Sequence, residues 1–290
     1  MIVGNRGIYH KGWTAVTRHR TPWVTGQVQL QAFDDDVWEL YDTSTDWTQA
    51  QDLAREHPQK LHELQRLWLI EATKYNVLPL DDRYAERANP EIAGRPQLIK
   101  GTRQVLFGGM GRLSESSIVN FKNKSHAITA EVIVPPEGAE GVIVAQGGLT
   151  GGWSLYAKEG KPKYCYNFYG VNRYTIAGTA AIPPGTHQVR MEFAYDGGGL
   201  AKGGTVTLYV DGQKAGEGRV DQTEPMIFSA DETCDVGFEA GSPVTYDYPT
   251  AGGRFSGEVN WVEIAVDKDA EDLDHLISPQ ERLRLAMALQ

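Results

Sequence analysis

The sequence predicts a mainly β protein, in which a small antiparallel sheet with one helix precedes a large antiparallel β-sandwich and a short C-terminal helix. Three observations predict this fold class. Residues 5–45 are rich in aromatic residues and are broken by glycine, as in short strands. An amphipathic helical segment follows from Pro58. From 97 to 266 the chain consists of about a dozen short alternating runs between turn residues, which is typical of a sandwich and not of a βαβ fold.

We expect four parts along the chain. These are an N-terminal α+β subdomain at 1–84, a linker at 85–96, the sandwich at 97–268 and a helical tail at 269–290. The tail is predicted to be helical because Ser278 offers an N-cap, Pro279 suits the first helical position and Glu281 completes a capping box.

The N-terminal subdomain is predicted to contain three strands and a helix. Residues 7–16 indicate two short strands around a His10-Lys11-Gly12 turn, and residues 37–41 indicate a third strand. After Pro58, the apolar residues follow a helical 3-4-4-3 spacing, at Leu61, Leu64, Trp68, Ala72 and Tyr75. The pattern stops at Asn76, where a polar segment with several prolines begins.

The predicted sandwich alternates clearly between apolar and polar residues. Its clearest strands are 127–134, 141–146, 188–195 and 205–210. In the last of these, Val206, Leu208 and Val210 share one face, and Asp211-Gly212 supplies a tight hairpin turn. We therefore expect these three side chains to point into the core.

Charge and hydropathy exclude several classes of partner. A net charge of -10 argues against binding to nucleic acid or to an anionic membrane surface, because both require clustered Lys and Arg. The chain has no apolar run of about 18 residues that could span a membrane, and its start lacks the pattern of a signal peptide. As written, we expect a soluble, cytoplasmic chain. Cys165 and Cys234 lie in strand-like surroundings, where buried structural thiols are expected.

Several segments carry a resemblance to a known family. They are GNRGIYHKGW at 4–13, HRTPW at 19–23, WELYD at 38–42 and the residues from Asp46-Trp47 to His57-Pro58. In this order they resemble the end of the alkaline-phosphatase-like sulfatase domain of long bacterial arylsulfatases. Residues 235–248 resemble the last third of the concanavalin-like, lectin-like sandwich (a jelly roll) that these enzymes carry, although the sequence departs from the family at Phe238-Glu239-Ala240.

The resemblance implies no catalytic residue and no cofactor in this chain. Sulfatases oxidise the Cys or Ser of a Cys/Ser-x-Pro-x-Arg motif to formylglycine and use a divalent cation, usually calcium. Neither Cys165 nor Cys234 begins such a motif, and no serine does. The family's metal ligands and sulfate pocket lie upstream of the matched region, so we expect no hydrolysis of sulfate esters by this chain alone. The compartment of the parent enzyme, periplasmic or secreted, stays open.

Three groups of candidate site residues follow from the sequence. Residues that could border the substrate entrance of an intact sulfatase are His10, Lys11, His19 and Arg20, although these types are also ordinary surface residues. Residues that could stack on sugar rings are Trp153, Tyr156, Tyr166 and Tyr169, although alternating aromatic residues also form cores. Residues that could bind a hard cation are Asp231, Asp235 and Asp247, in a segment without the regular ligand spacing of an EF-hand loop.

Three functions are consistent with these observations. The first is the non-catalytic C-terminal part of an arylsulfatase, packing on a catalytic domain or chain and completing it. The second is a carbohydrate-binding module, and the third is a sandwich that self-associates and sets the oligomer. A hydrolytic sandwich is disfavoured, because Glu263 and Asp267 on one face of a predicted strand would stand about 13 Å apart, too far for paired carboxylates.

Overall fold

The computed structural model describes residues 4–21, 29–249, 253–271, 274–278, 280, 281, 284 and 287. The chain divides into two compact units, Met1–Arg87 and Ala88–Gln290. The first unit has one sheet and the second has two, and each unit has its own hydrophobic core.

The first unit is a three-stranded antiparallel sheet covered by one helix. The strands are β1 (Arg6–His10), β2 (Trp13–Thr17) and β3 (Trp38–Asp42), in the order β1-β2-β3, and the helix is α1 (Pro58–Lys74). The predicted hairpin is confirmed, with Lys11 and Gly12 in its turn at φ angles of 48° and 85°. Ala15, Leu40 and Leu64 form a small core without exposed surface.

Helix α1 ends where the hydrophobic spacing stops. Asn76 has a left-handed backbone conformation, with φ at 54°. The N–H of Asn76 donates to the carbonyl of Thr73, and the N–H of Val77 donates to the carbonyl of Ala72. This is the Schellman arrangement, which satisfies the last carbonyls of a helix.

The segment that the sequence assigns to a linker contains local structure. A 3-10 helix occupies Ala85–Ala88, and a single helical turn, α2, occupies Pro90–Ala93. The Asn89 side chain caps α2 by accepting a hydrogen bond from the N–H of Glu91 at 3.1 Å. The division between the two compact units falls within this segment, after Arg87.

The second unit is an antiparallel β-sandwich, as predicted. Its described strands are β4 (Arg103–Phe107), β5 (His126–Val134), β6 (Gly141–Gly148), β7 (Gly151–Lys158), β8 (Lys161–Phe168), β9 (Asn172–Ala177), β10 (Gly185–Tyr195), β11 (Gly204–Val210), β12 (Gln213–Val220), β13 (Cys234–Val236) and β14 (Glu258–Val266). One sheet has six strands in the order β12-β11-β10-β5-β14-β4, and the other has five in the order β13-β6-β7-β8-β9.

The main core lies between these two sheets. Val206 and Leu208 of β11 are fully buried, as predicted, whereas Val210 at the end of the strand is only partly buried. The predicted turn at Asp211-Gly212 connects β11 to β12, with both residues at positive φ. From the five-stranded sheet, Trp153 and Leu155 of β7 enter the same core.

The other face of the five-stranded sheet is also covered. A second hydrophobic cluster joins strand residues to the segment 244–248, and it consists of Val142, Ala145, Tyr156, Cys165, Val244 and Tyr248. The hydroxyl of Tyr248 donates to Oγ of Ser154 at 3.0 Å. This segment therefore forms a partial third layer over the sheet.

Both cysteines are free and buried, as predicted, and burial raises the pKa of each thiol. Of the predicted C-terminal helix, positions 279, 282, 283, 285, 286 and 288–290 lie outside the described residues. Oγ of Ser278 accepts a hydrogen bond from the N–H of Glu281 at 3.3 Å, as the predicted N-cap requires. Across the described residues, no helix combines the length and the hydropathy needed to cross a membrane.

Candidate functional site

Two hairpin turns meet at one end of the five-stranded sheet, at residues 149–150 between β6 and β7 and at residues 169–171 between β8 and β9. Asn167, which is fully buried, joins them. Its Nδ2 donates to the carbonyls of Gly148 at 2.7 Å and Leu149 at 3.1 Å, while its Oδ1 accepts from the N–H of Gly170 at 3.0 Å. One buried amide therefore determines how the turns approach each other.

The first turn requires glycine on both sides. Gly147 and Gly152 have φ angles of 90° and 141°, and a Cβ on either would lie 2.1 Å from a carbonyl oxygen of the paired strand. Any side chain would force the two strands apart at this point. The glycines thus allow the close approach that presents Leu149 at the tip.

Arg173 at the start of β9 connects this end of the sheet to the covering segment. Its Nε donates to the carbonyl of Val244 at 3.1 Å, and its Nη2 donates to the carbonyl of Leu149 at 3.2 Å. The guanidinium carbon lies 4.3 Å from the ring centroid of Tyr246, a distance typical of a cation–π contact. The guanidinium is therefore held by two distant segments of the chain, the turn at Leu149 and the covering segment that contains Val244 and Tyr246.

Exposed apolar side chains lie on the two turns and on the covering segment. The exposed fraction is 37% for Leu149, 44% for Tyr169, 76% for Val171 and 75% for Tyr246. We call these four residues together with Arg173 the Arg173 surface. It combines two tyrosine rings, two aliphatic side chains and one cation on turns that the underlying sheet holds in place.

The position of Tyr246 is supported by its neighbour Asp247. The Tyr156 hydroxyl and Nζ of Lys163 donate to Oδ2 of Asp247, at 2.6 Å and 2.9 Å. Burial acts to raise the pKa of Asp247, but these two hydrogen bonds and the charge of Lys163 outweigh it, and the pKa is lowered. Asp247 is thus a carboxylate that ties the covering segment to β7 and β8.

A buried acid lies beneath the second turn. Oε1 of Glu224 accepts a hydrogen bond from the N–H of Tyr169 at 2.7 Å, and the N–H of Glu224 donates to the Tyr166 hydroxyl at 2.7 Å. Within the described part of the chain, Oε2 of Glu224 has no hydrogen-bond partner. Burial raises the pKa of Glu224 to about 8, so a large fraction of this side chain is protonated near neutral pH.

A separate cavity of about 320 Å³ is lined partly by Glu115 and Lys122. Nζ of Lys122 is paired with Oε1 of Glu115 at 2.5 Å, so the lysine charge is already compensated. The rest of the lining combines serine hydroxyls and aliphatic side chains with further charged and polar groups, and its described part contains no aromatic ring; these groups belong to Arg95, Gln97, Asn120, Asp231, Glu232 and Thr233. The cavity therefore offers hydrogen bonds but no ring for stacking.

The structure corrects three of the four predicted stacking residues. Trp153, Tyr156 and Tyr166 are 0%, 0% and 4% exposed, because the first and third lie in the main core and the second lies beneath the covering segment. None of the three presents a ring face to a sugar in this conformation. Tyr169 does have an exposed ring and belongs to the Arg173 surface.

The three predicted metal ligands do not come together. Oxygens of buried Asp235 accept hydrogen bonds from the N–H groups of Arg112 and Ala240, and Asp247 is held by Tyr156 and Lys163. Asp231 is exposed. Among the residues that the structure describes, no group of three or more His, Cys, Asp and Glu side chains could hold a metal ion.

The predicted substrate-rim residues lie in the first unit and take different positions. His10 is partly buried and Lys11 is exposed in the hairpin turn. His19 is buried, which corrects the expectation of a solvated His-Arg pair: its Nδ1 lies 2.9 Å from Asp36 and its Nε2 lies 3.2 Å from Asp82. The guanidinium of Arg20 lies 5.1 Å from the ring centroid of Tyr84.

Three residues of the Arg173 surface, Arg173, Leu149 and Tyr246, are not marked by any local sequence pattern. Leu149 and Tyr246 lie outside the alternating runs, and Arg173 begins a weakly alternating strand. A large aromatic residue in a loop rich in Pro, Asp and Ser, as at Tyr246, was the available signal, because burial in a strand does not explain it.

No protein-family model matches the chain, and no curated protein matches it. Similar solved structures include the CBM40 of an IT-sialidase from Ruminococcus gnavus bound to α2,6-sialyllactose, with 16% identity and a TM-score of 0.41 over 62% of this chain and 97% of that chain. A leech intramolecular trans-sialidase has 13% identity and a TM-score of 0.36 over 65% and 28%. Domains LG4-5 of the mouse laminin α1 chain have 17% identity and a TM-score of 0.35 over 63% and 43%. Identities and TM-scores of this size provide no residue-by-residue correspondence.

Proposed function

We propose that the sandwich unit is a carbohydrate-binding module and that it binds glycans on the Arg173 surface. The observation that carries this proposal is the ring of Tyr246, which is 75% exposed although the Arg173 guanidinium holds it in place. An exposed ring in a fixed position can bind without a large loss of side-chain entropy. Tyrosine and arginine are also the residue types that most often dominate binding energies.

The chemistry of the surface suits a sugar ring. A pyranose presents apolar C–H faces and polar hydroxyl edges, and a tyrosine offers an apolar ring together with a hydroxyl. Tyr169 and Tyr246 supply two such rings, and Leu149 and Val171 extend the apolar contact. Exposed apolar groups that cluster in this way are typical of recognition surfaces.

A glycan array with the purified full chain tests the proposal. The array first identifies the glycans that wild type binds. For these glycans, Tyr246→Ala should lower the affinity by at least about 10-fold, because the exposed ring would contribute central contact area. Affinities are then measured by titration calorimetry on the best array ligand. Tyr9→Ala is the matched control, since Tyr9 is 67% exposed but lies in the first unit.

Two results would count against the proposal. One is the absence of binding by wild type across the array, and the other is equal loss of affinity in Tyr246→Ala and Tyr9→Ala. Circular dichroism of both variants separates loss of a contact from loss of folding.

A second candidate function concerns the first unit. We propose that this unit packs on a partner. The partner is either the catalytic part of a sulfatase, as a domain or a separate chain, or a second copy of this chain. The sequence resemblance at 4–58 motivates it, and the comparisons add no support for a sulfatase. The observation that favours a partner is the exposed apolar side of α1 and its C-cap, where Leu69, Ile70 and Tyr75 are 52%, 60% and 66% exposed.

Light scattering at increasing protein concentration tests this candidate. Replacing Leu69 and Ile70 with glutamine should reduce self-association, because glutamine removes the apolar surface and is a good helix former. Co-purification with a sulfatase polypeptide is the corresponding test for the enzyme part. A strictly monomeric wild type that captures no sulfatase chain would exclude both partners.

A further inference from the structure

Arg173 carries a positive charge that no carboxylate of the described chain compensates. Its guanidinium contacts two backbone carbonyls and the Tyr246 ring, and no described Asp or Glu forms an ion pair with it. Arginine is always protonated in proteins, so the charge is permanent.

The nearby carboxylates are engaged elsewhere. Asp247, the residue after Tyr246, is paired with Lys163 at 2.9 Å and accepts from the Tyr156 hydroxyl. Glu232 accepts from the Ser242 hydroxyl at 2.6 Å, and Ser242 in turn accepts from the N–H of Leu149. Neither carboxylate forms an ion pair with Arg173. A ligand that supplies a hydrogen-bond acceptor could therefore bind at the guanidinium.

The geometry of the guanidinium defines that open position. A guanidinium has five N–H donors. Two of these donors, the N–H of Nε and one N–H of Nη2, donate to the carbonyls of Val244 and Leu149. The N–H groups of Nη1 and the second N–H of Nη2 have no acceptor among the described residues, and they are arranged as a fork that matches a carboxylate or a sulfate.

We infer that the ligand of the Arg173 surface is an acidic glycan, whose carboxylate or sulfate group accepts hydrogen bonds from the open N–H groups of Arg173. The inference rests on the proposed carbohydrate binding and adds the chemical class of the sugar. The net negative charge of the chain disfavours a long polyanion, whereas one cation beside the exposed ring of Tyr246 fits a single anionic substituent.

A fixed arginine suits this role better than a mobile one. The Val244 and Leu149 carbonyls hold the guanidinium before any ligand arrives, so little further ordering is needed on binding. The same carbonyls do not neutralise the charge, because a backbone carbonyl is a dipole. An anion would therefore gain a charge-assisted hydrogen bond without displacing an existing ion pair.

The test is a glycan array printed with matched pairs that differ only in the acidic group. The pairs are sialylated and desialylated, uronic acid and its methyl ester, and sulfated and unsulfated oligosaccharides. Wild type should bind acidic members and not their neutral partners, and the array identifies whether carboxylate or sulfate is preferred. Arg173→Gln should weaken binding to the acidic ligand by about 10- to 100-fold.

Two further variants keep the test decisive. Arg219→Gln is the matched control, because it removes one positive charge from β12, where Asp196 already pairs with the arginine. It should bind like wild type. Arg173→Lys retains the charge without the fork and should be intermediate, so it replaces Arg173→Gln if that variant does not fold.

The outcomes separate the two proposals. Equal binding of neutral and acidic members by wild type would overturn the inference while carbohydrate binding stands. The inference would also be overturned if Arg173→Gln kept the wild-type preference for acidic glycans. The same holds if Arg173→Lys kept that preference and its binding were no more sensitive to salt than that of wild type. Absence of binding to every glycan would overturn carbohydrate binding itself.

Discussion

The backbone N–H of Tyr169 donates a hydrogen bond of 2.7 Å to Oε1 of Glu224. The tyrosine ring is 44% exposed on the Arg173 surface, whereas the glutamate has no exposed area. A buried acid thus positions the backbone of an exposed ring, and we expect its protonation state to affect the stability of the sandwich.

Glu224→Gln should remove a pH dependence of stability. Burial raises the pKa of Glu224 from 4.5 to about 8, with the Tyr169 hydrogen bond acting in the opposite direction. As pH rises through this interval, the unfolded chain loses a proton that the folded chain keeps. The free energy of unfolding should therefore fall by up to about 1.4 kcal/mol per pH unit from this group, and the slope should flatten in the variant.

Urea unfolding at several pH values between about 5 and 8 measures the slope. Gln retains an acceptor for the Tyr169 N–H, so the variant should fold. Glu137→Gln is the control, since Glu137 is exposed and should leave the slope unchanged. If Glu224→Gln follows the wild-type pH profile, the buried acid is ionised in the folded protein and its burial is compensated in another way.

Leu208→Ala should destabilise the sandwich by about 2–5 kcal/mol. Leu208 is fully buried in the main core, where its strand pairs with Met191 on one side and with Gly216 on the other. Val210→Ala should cost less, because Val210 is only partly buried at the end of the same strand. Denaturant unfolding of both variants provides the comparison, and a loss below about 1 kcal/mol for Leu208→Ala would mean that the core relaxes around the cavity.

Local patterns predicted the elements that depend on neighbouring residues. The β11–β12 hairpin follows from an alternating strand and Asp211-Gly212, both of which act within a few residues. Helix α1 follows from a 3.6-residue spacing, and its end at Asn76 follows from a left-handed conformation that asparagine tolerates. These features can be predicted without knowing which distant residues pack against them.

Alternation predicts two faces of a strand but not what covers them. Trp153 and Tyr156 point to opposite faces of β7, and both are buried. The main core covers the first, and residues 244–248, about 90 positions later, cover the second. Local alternation could not show that Trp153 and Tyr156 are covered, because the cover comes from distant parts of the chain, whereas Tyr169 keeps an exposed ring.

The candidate site was hidden for the same reason. Arg173 joins Leu149, 24 residues before it, to Val244, 71 residues after it, and no sequence period connects the three. His19 similarly became buried through Asp36 and Asp82, which no local pattern relates to it. Sites assembled from turns depend on the fold that brings the turns together.

Asp36→Asn should destabilise the first unit. The Asp36 carboxylate is contacted at 2.6 Å by Nη2 of Arg6, at 2.9 Å by Nδ1 of His19 and at 2.8 Å by Nε2 of Gln31. Arg6 and His19 are themselves largely buried, so weakening their shared anion leaves polar groups poorly compensated. Breaking such a buried pair costs about 3–5 kcal/mol.

The stability that Asp36 provides through Arg6, His19 and Gln31 should also depend on pH. Although burial acts to raise the pKa of Asp36, hydrogen bonds with Gln31 and His19 and the charge of Arg6 outweigh it and lower the pKa below 3.8. The stabilisation is therefore present above that value and is lost as the pH falls through the lowered pKa. Hydrogen exchange read separately over 6–17 and 126–134 should show faster exchange in the first range alone for Asp36→Asn. Asp34→Asn, at an exposed position two residues before the buried Asp36, should leave both ranges unchanged. Equal exchange in Asp36→Asn and wild type would mean that Asp36 does not hold the first unit together.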